Sequence, residues 1–319
     1  MTPQRLRHAF VSIAVLALLV YAARDIDWRT AACVLRRAAA APLAAAVVVN
    51  VLSMGLKGVR WWLFLRRAGV SSLSLAIRGT IVGDGLNNLV IANGGDAART
   101  LLVARAARVS RARVLATLAL ERIFDPVCYG ILLLIGTFVV PLPPRLAHVR
   151  PIVAAALAVG AMLLVLLIRT PGAEHSAVLA GGGWRNAARD FRRSVSQLST
   201  TRRFVMALVF SIGAWAFQIA TFALVAQSAG IALPLSGTIA ALILTNAGLV
   251  VRATPGNVGY FQFAYALATQ QFGVATAPAV AAAVLIQLVQ IVPVTLAAVL
   301  LGARLAARDA ASVTSAQVR

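Results

Sequence analysis

Three stretches of this chain hold residue types that can do chemistry. LALERIFDPVCYGILLLIG, Leu118 to Gly136, carries Glu121, Arg122 and Asp125. Gly94–Gly95–Asp96 is followed three residues on by Arg99. Pro255–Gly256–Asn257–Val258–Gly259 is followed by Tyr260 and Gln262, with Arg252 just before it. Arginine presents a planar fork of donors that matches a phosphate. Carboxylates beside it can orient the fork, carry protons, or work as an acid–base pair. Glycines allow close backbone approach, and a helix N-terminus favours an anion. The candidate chemistry is therefore recognition of an anionic headgroup. Arg99, Arg122, Gly94, Gly95, Gly256, Asn257 and Gly259 are the candidate contacts. Asp96, Glu121 and Asp125 are the orienting or proton-coupling groups.

Each stretch also has a plainer structural reading. Asp96 can cap the helix it opens. Pro255 with Gly256 or Asn257 can form a tight turn needing positive φ. At 100° per residue, Glu121, Arg122 and Asp125 fall at about 0°, 100° and 40°, on one face of a helix. They can be an internal ion cluster locking helices, a phosphate contact with its orienting acids, or an embedded acid pair. A charge at a bilayer centre costs about 2.5–3.5 kcal/mol on insertion scales, so three within five residues need a reason.

Elements that could position these residues follow from hydropathy. The chain has 319 residues, 61% of them hydrophobic and 12% charged, with mean hydropathy +0.87. A typical soluble domain is about 25% charged. Apolar runs long enough to cross a bilayer lie near 8–23, 42–65, 114–140, 151–168, 204–228 and 275–301. They do not alternate as barrel strands would. The expected fold class is all-α: a polytopic integral membrane protein with about six to eight transmembrane helices. Residues 1–319 read as one membrane domain, with 169–203 a basic cytoplasmic loop or amphipathic helix and 303–319 a short cytoplasmic tail. Two segments, 76–95 and 233–272, are broken by Gly, Asn and Pro and carry Asp84, Asn87, Asn88 and Asn93 in the first. Irregular backbone at membrane depth is tolerated only inside protein or along a cavity.

The net charge of +21 is almost all arginine; Lys57 is the only lysine. Arginines cluster before the first run, at 99–113, at 169–203 and after the last run. The positive-inside bias places those groups, and both termini, in the cytoplasm. Parity then makes segment 76–95 enter and leave on the cytoplasmic side and 233–272 on the outer side. Arg105, Arg108 and Arg111 read as a connector lying on an anionic leaflet. NLVIANGGDAAR and GLVVRATPGNVGY both run from Leu-Val into a Gly/Asn-rich turn, which suggests an inverted repeat of the kind that brackets substrate sites in transporters. The basic charge has topology as its explanation, so no nucleic-acid partner is expected. Cys33 and Cys128 are isolated, as are His8, His148 and His175, so no metal site is indicated. No phosphate-binding nucleotide fingerprint is present, and no cofactor is expected.

GGDAAR, LERIFD and PGNVGYFQFAYALA together resemble the flippase-like transmembrane domain of the lysylphosphatidylglycerol synthase family, as a stand-alone member without the aminoacyl-transferase domain. The family's Gly-Asp/Glu-x-x-Arg element corresponds to Gly95, Asp96 and Arg99. Its Glu-Arg-x-x-Asp element corresponds to Glu121, Arg122 and Asp125. Its Pro-Gly-x-x-Gly element corresponds to Pro255, Gly256 and Gly259. The family often has proline where Asn93 stands and glutamate where Gln262 stands. The resemblance implies an inner-membrane, multi-pass lipid-handling protein. It would be a flippase of an anionic membrane lipid or polyprenyl-linked substrate rather than an enzyme. The alternatives are a membrane-embedded lipid-modifying transferase using Glu121 and Asp125, or a non-catalytic partner of lipid or glycan biosynthesis enzymes.

Overall fold

A computed structural model describes residues 27–89, 94–140, 149–169, 201–247 and 257–317. Those residues form ten α-helices and no strand. In chain order they are α1 (Trp28–Arg37), α2 (Ala40–Leu65), α3 (Leu73–Leu89), α4 (Gly94–Ala107), α5 (Arg111–Val139), α6 (Val149–Arg169), α7 (Thr201–Ser228), α8 (Leu235–Ala247), α9 (Tyr260–Gln270) and α10 (Thr276–Gln317). Ala40–Ala68, Val205–Ser228 and Thr276–Gly302 are each long and apolar enough to cross a membrane. The chain is an all-α polytopic membrane protein. The run expected at 8–23, Asn93, Gly256 and most of the 169–203 loop lie outside the described residues.

The element order repeats. A long helix (α2), a hairpin of two short helices (α3 and α4) and a long helix with an internal proline (α5, Pro126) are followed after α6 by the same series: α7, the hairpin α8–α9, and α10 with Pro293. The described residues fall into two compact units. The first holds those up to Val51 and those within Phe217–Pro293, together with the tip of α3. The second holds those within Leu52–Leu86, Asn93–Ala216 and Val294–Arg319.

In the second unit, α3 and α4 leave and return at the same end. A Cβ on Gly69 would touch Val109 at 3.4 Å, and Val70 and Val109 share one apolar cluster with Trp61, Leu65 and Val103. One sequence expectation changes here. Segment 73–89 is a continuous helix despite Gly79, Gly83 and Gly85. A mid-helix glycine costs about 1 kcal/mol, and these are offset by close approach. A Cβ on Gly79 would lie 2.8 Å from the Trp61 ring, and one on Gly83 2.7 Å from Cδ of Arg99. The arginine-rich stretch 99–113 exposes Arg105, Arg108 and Arg111 around the connection between α4 and α5. Its first half belongs to α4, where Arg99, Thr100, Val103 and Ala104 are buried. The turn comes at Arg108, with φ 54°, and the side chain of Ser110 then caps α5 by accepting from the Arg113 N–H.

Aromatic side chains fix the second unit's core. Trp61 is fully buried and donates from Nε1 to Thr117 Oγ1 at 3.0 Å, satisfying its one donor. Phe64 and Phe124 meet with ring centroids 6.0 Å apart. The first unit packs differently. Phe222 stacks on Phe261 and Tyr265, each at 6.1 Å. Ala277 and Ala281 of α10 let α1 approach through Ala31. The short helix α1 has no counterpart among the expected elements. Asp27 caps it by accepting from the N–H groups of Arg29 and Thr30 at 3.0 and 3.1 Å. The Thr30 hydroxyl and N–H hold the Asp27 carboxyl below its ordinary range.

Pro293 removes one helical donor, which orphans the carbonyl of Val289 four residues back. Asn50 Nδ2 donates to that carbonyl at 3.1 Å. The last helix also continues to Gln317, through the stretch expected to be a short tail.

Candidate functional site: an alternating charge ladder

The charges of the second unit meet across α2, α4 and α5. Arg60 Nη1 lies 2.7 Å from Asp125 Oδ1, and its Nη2 lies 2.8 Å from Glu121 Oε1. Glu121 Oε2 lies 3.1 Å from Arg99 Nη1. Arg99 Nη2 lies 3.1 Å from Asp96 Oδ1, and Asp96 Oδ2 takes Nη2 of Arg122. The order is Asp125, Arg60, Glu121, Arg99, Asp96, Arg122, with sign alternating at each step and a net charge of zero. The middle of this ladder is buried and its ends are not. Arg60, Arg99 and Glu121 side chains are 4%, 5% and 7% exposed, against 46% for Asp125 and 47% for Arg122.

Each helix places its members by simple geometry. On α2, Asn50, Ser53, Lys57 and Arg60 recur at i, i+3, i+7 and i+10, one stripe of a helix. Ser53 anchors the stripe by donating to the Ala214 carbonyl at 3.0 Å. Arg60 Nη1 also donates to Ser211 Oγ of α7 at 3.0 Å. On α4, Asp96 and Arg99 are i,i+3 neighbours in the first two turns. Asp96 is the third residue of that helix, so its carboxylate goes to two arginines. On α5, Glu121 and Asp125 are i,i+4 neighbours and share Arg60 as their common cation. Arg122 points away from both, to Asp96.

Arg99 is held a second way. Its guanidinium carbon sits 4.9 Å over the Trp61 ring, a cation–π contact, with Gly79 and Gly83 leaving space for both side chains. Its 3.1 Å approaches to Asp96 and Glu121 are ion pairs out of line for hydrogen bonds. The Nε groups of Arg60 and Arg99 donate to no acceptor among the described residues. Two further ionisable groups stand nearby. Asp84 of α3 lies within electrostatic reach of Lys57, Arg99, Glu121 and Asp125, but forms no ion pair of its own among the described residues.

Of the candidates read from sequence, Asp96, Arg99, Glu121, Arg122 and Asp125 come together in this ladder. Gly94 and Gly95 open α4, beside it in the chain. Asn257 and Gly259 belong to the first unit, where they begin α9 with φ 55° and 91°. The Gly259 N–H donates to Gln262 Oε1 at 2.6 Å, and Gln262 Nε2 donates to Gln287 of α10. Tyr260 donates to the Leu244 carbonyl at 2.9 Å, closing the hairpin. Gln262 and Tyr260 therefore serve the fold of the first unit. Arg60 is the member that sequence reasoning missed. The polar stripe on α2 was its available signal, because an apolar helix with polar residues at that spacing must bury them against protein. No group of three or more His, Cys, Asp or Glu side chains suited to a metal ion occurs among the described residues.

Polytopic helices carrying a buried, self-neutralised ladder of charges define a membrane protein with a built polar interior. Such interiors mark substrate or ion pathways by default. The family described as the lysylphosphatidylglycerol synthase TM region matches residues 9–298, nearly the whole chain, and the protein belongs to that family. It is thus a multi-pass membrane protein of a lipid-related family. No match was found among curated proteins.

Proposed function

We propose that this protein binds and translocates an anionic lipid or lipid-linked intermediate, such as a polyprenyl-linked substrate, across the inner membrane, with its termini in the cytoplasm. The observation that carries this reading is Arg122. It ends the ladder, is half exposed, and spends one nitrogen on one carboxylate, so its remaining donors can take a phosphate. Asp96 orients it, and the buried arginines behind keep Asp96 from acting as an isolated charge.

The same geometry speaks against a catalytic carboxylate pair. Glu121 and Asp125 are both engaged by Arg60, so they are held to a shared cation and do not form an acid–base pair with each other. The protein is read as a transporter that works alone or beside lipid or glycan biosynthesis enzymes, and not as an enzyme. The test is headgroup exchange in vesicles reconstituted with the pure protein and fluorescent phosphatidylglycerol. Exchange should be faster than in protein-free vesicles and fall about tenfold or more in Arg122→Ala, the loss of a charge-assisted bond. Equal rates with and without protein would sink the proposal.

A further inference from the structure

The ladder is neutral before any lipid arrives. Three arginines face three carboxylates, and no net positive charge waits for an anion. A phosphate at Arg122 adds one negative charge, and an uncompensated charge in a region of low polarity is costly. The ladder offers a route for that charge. A phosphate on the remaining donors of Arg122 weakens that arginine's hold on Asp96, and Asp96 then leans toward Arg99. Arg99 loosens from Glu121, Glu121 draws more of Arg60, and Arg60 gives up its share of Asp125. Each step exchanges one partner for another, and the excess negative charge emerges at Asp125.

Asp125 is suited to receive a proton. Among the described residues, Asp96 and Glu121 each pair with two arginines, whereas Asp125 pairs with Arg60 alone. It is also the most exposed of the three acids. The groups facing it are Arg60 of α2, Asp84 of α3, and Glu121, Arg122 and Cys128 of its own helix. Ser211 of α7 holds Arg60 from behind. Asp84 is the rival acceptor, but it shares no ion pair with the ladder.

Resting on the lipid reading above, we propose that each anionic headgroup bound at Arg122 is accompanied by one proton taken from water onto the Asp125 carboxylate, so that lipid and proton enter as a neutral pair. No bond of the lipid breaks and nothing is oxidised. Linkage then fixes the sign of the pH effect. Because one proton enters with each lipid, binding tightens as pH falls.

The experiment titrates the full chain, in lightly buffered detergent with a pH-indicator dye, with short-chain phosphatidylglycerol. One proton should disappear from solution per lipid bound. Asp125→Asn should bind lipid with no proton uptake, Asp125→Glu should restore uptake, and Asp84→Asn should retain it. Binding by the native protein without proton uptake overturns the coupling and leaves the lipid reading standing. Uptake that persists in Asp125→Asn, or is lost in Asp84→Asn alone, overturns the assignment to Asp125. Uptake driven equally by inorganic phosphate overturns the lipid as the source of the anion. Failure of the native protein to bind any anionic lipid sinks the lipid reading itself and the coupling with it.

Discussion

The hairpins α3–α4 and α8–α9 solve one architectural problem with different chemistry. Both are pairs of short helices that return to the end where they began, and both have glycine where the chain crowds. In the first, Asp96 and Arg99 reach Arg122 and Glu121 of α5, and these contacts are ionic. In the second, Gln262, Gln287 and Tyr260 make neutral hydrogen bonds that close the hairpin on itself and on α10. A third amide set, Gln290 to Gln218 at 2.9 Å and Gln218 to Asn50 at 3.3 Å, ties other helices of that unit together. Neutral amides hold helices at modest energy and stay satisfied without help from outside. Charges hold helices only while every partner is present, and they respond when another ion arrives. The difference sets ionic contacts in one hairpin against neutral ones in the other.

Mutations can break this contrast in order of size. The largest effect belongs to Arg60. Arg60→Leu leaves Glu121 and Asp125 facing each other without their shared cation, and breaking a buried pair costs about 3–5 kcal/mol. Thermal unfolding in detergent reads it, and a loss no greater than that of an amide variant would erase the contrast. Next is Gly83→Ala, whose Cβ would collide with the pinned stem of Arg99. Overpacking of this kind costs about 1–3 kcal/mol. Gly237→Ala, in the other hairpin, meets the free end of Leu233 at 2.7 Å, which can swing aside, so its loss in the same assay should be smaller.

Gln287→Leu should cost less again. Interhelical hydrogen bonds of this sort average about 0.6 kcal/mol, with a maximum near 1.7. The smallest global effect is expected from Asp27→Ala, which uncaps α1 and should show as faster amide exchange confined to that helix. Because the Asp27 carboxyl is held below its ordinary range, the cap's contribution is full above about pH 4. It is lost as pH falls through the folded-state value, so acid should reproduce the variant.

Much of the fold could be read along the chain. Runs 42–65, 151–168 and 204–228 match α2, α6 and α7 within a few residues, because transfer of an apolar helix into lipid is a local property of its residues. The two broken segments were visible as glycine and asparagine in apolar context. What they become was less visible. Glycine in α3 signals close packing, which depends on Trp61 and Arg99 from other helices and not on the local backbone. Arginine density along 99–113 reports topology and says nothing of which arginine turns inward; Arg99 is buried, whereas Arg105, Arg108 and Arg111 are exposed. For the site, the motif residues of α4 and α5 stood out by type and spacing, and Arg60 did not.

The sequence by itself determined the class of this protein, its long helices and the charged motif residues of α4 and α5, since each of these follows from side-chain chemistry over a few turns of helix. Only the tertiary structure decided the pairing. Arg60 and Glu121 are 61 residues apart in the chain, and Asp96 and Arg122 are 26 apart. No local spacing specifies which charge neutralises which. That choice belongs to helix packing, where leaving a buried charge unpaired costs more than any preference written into a single helix.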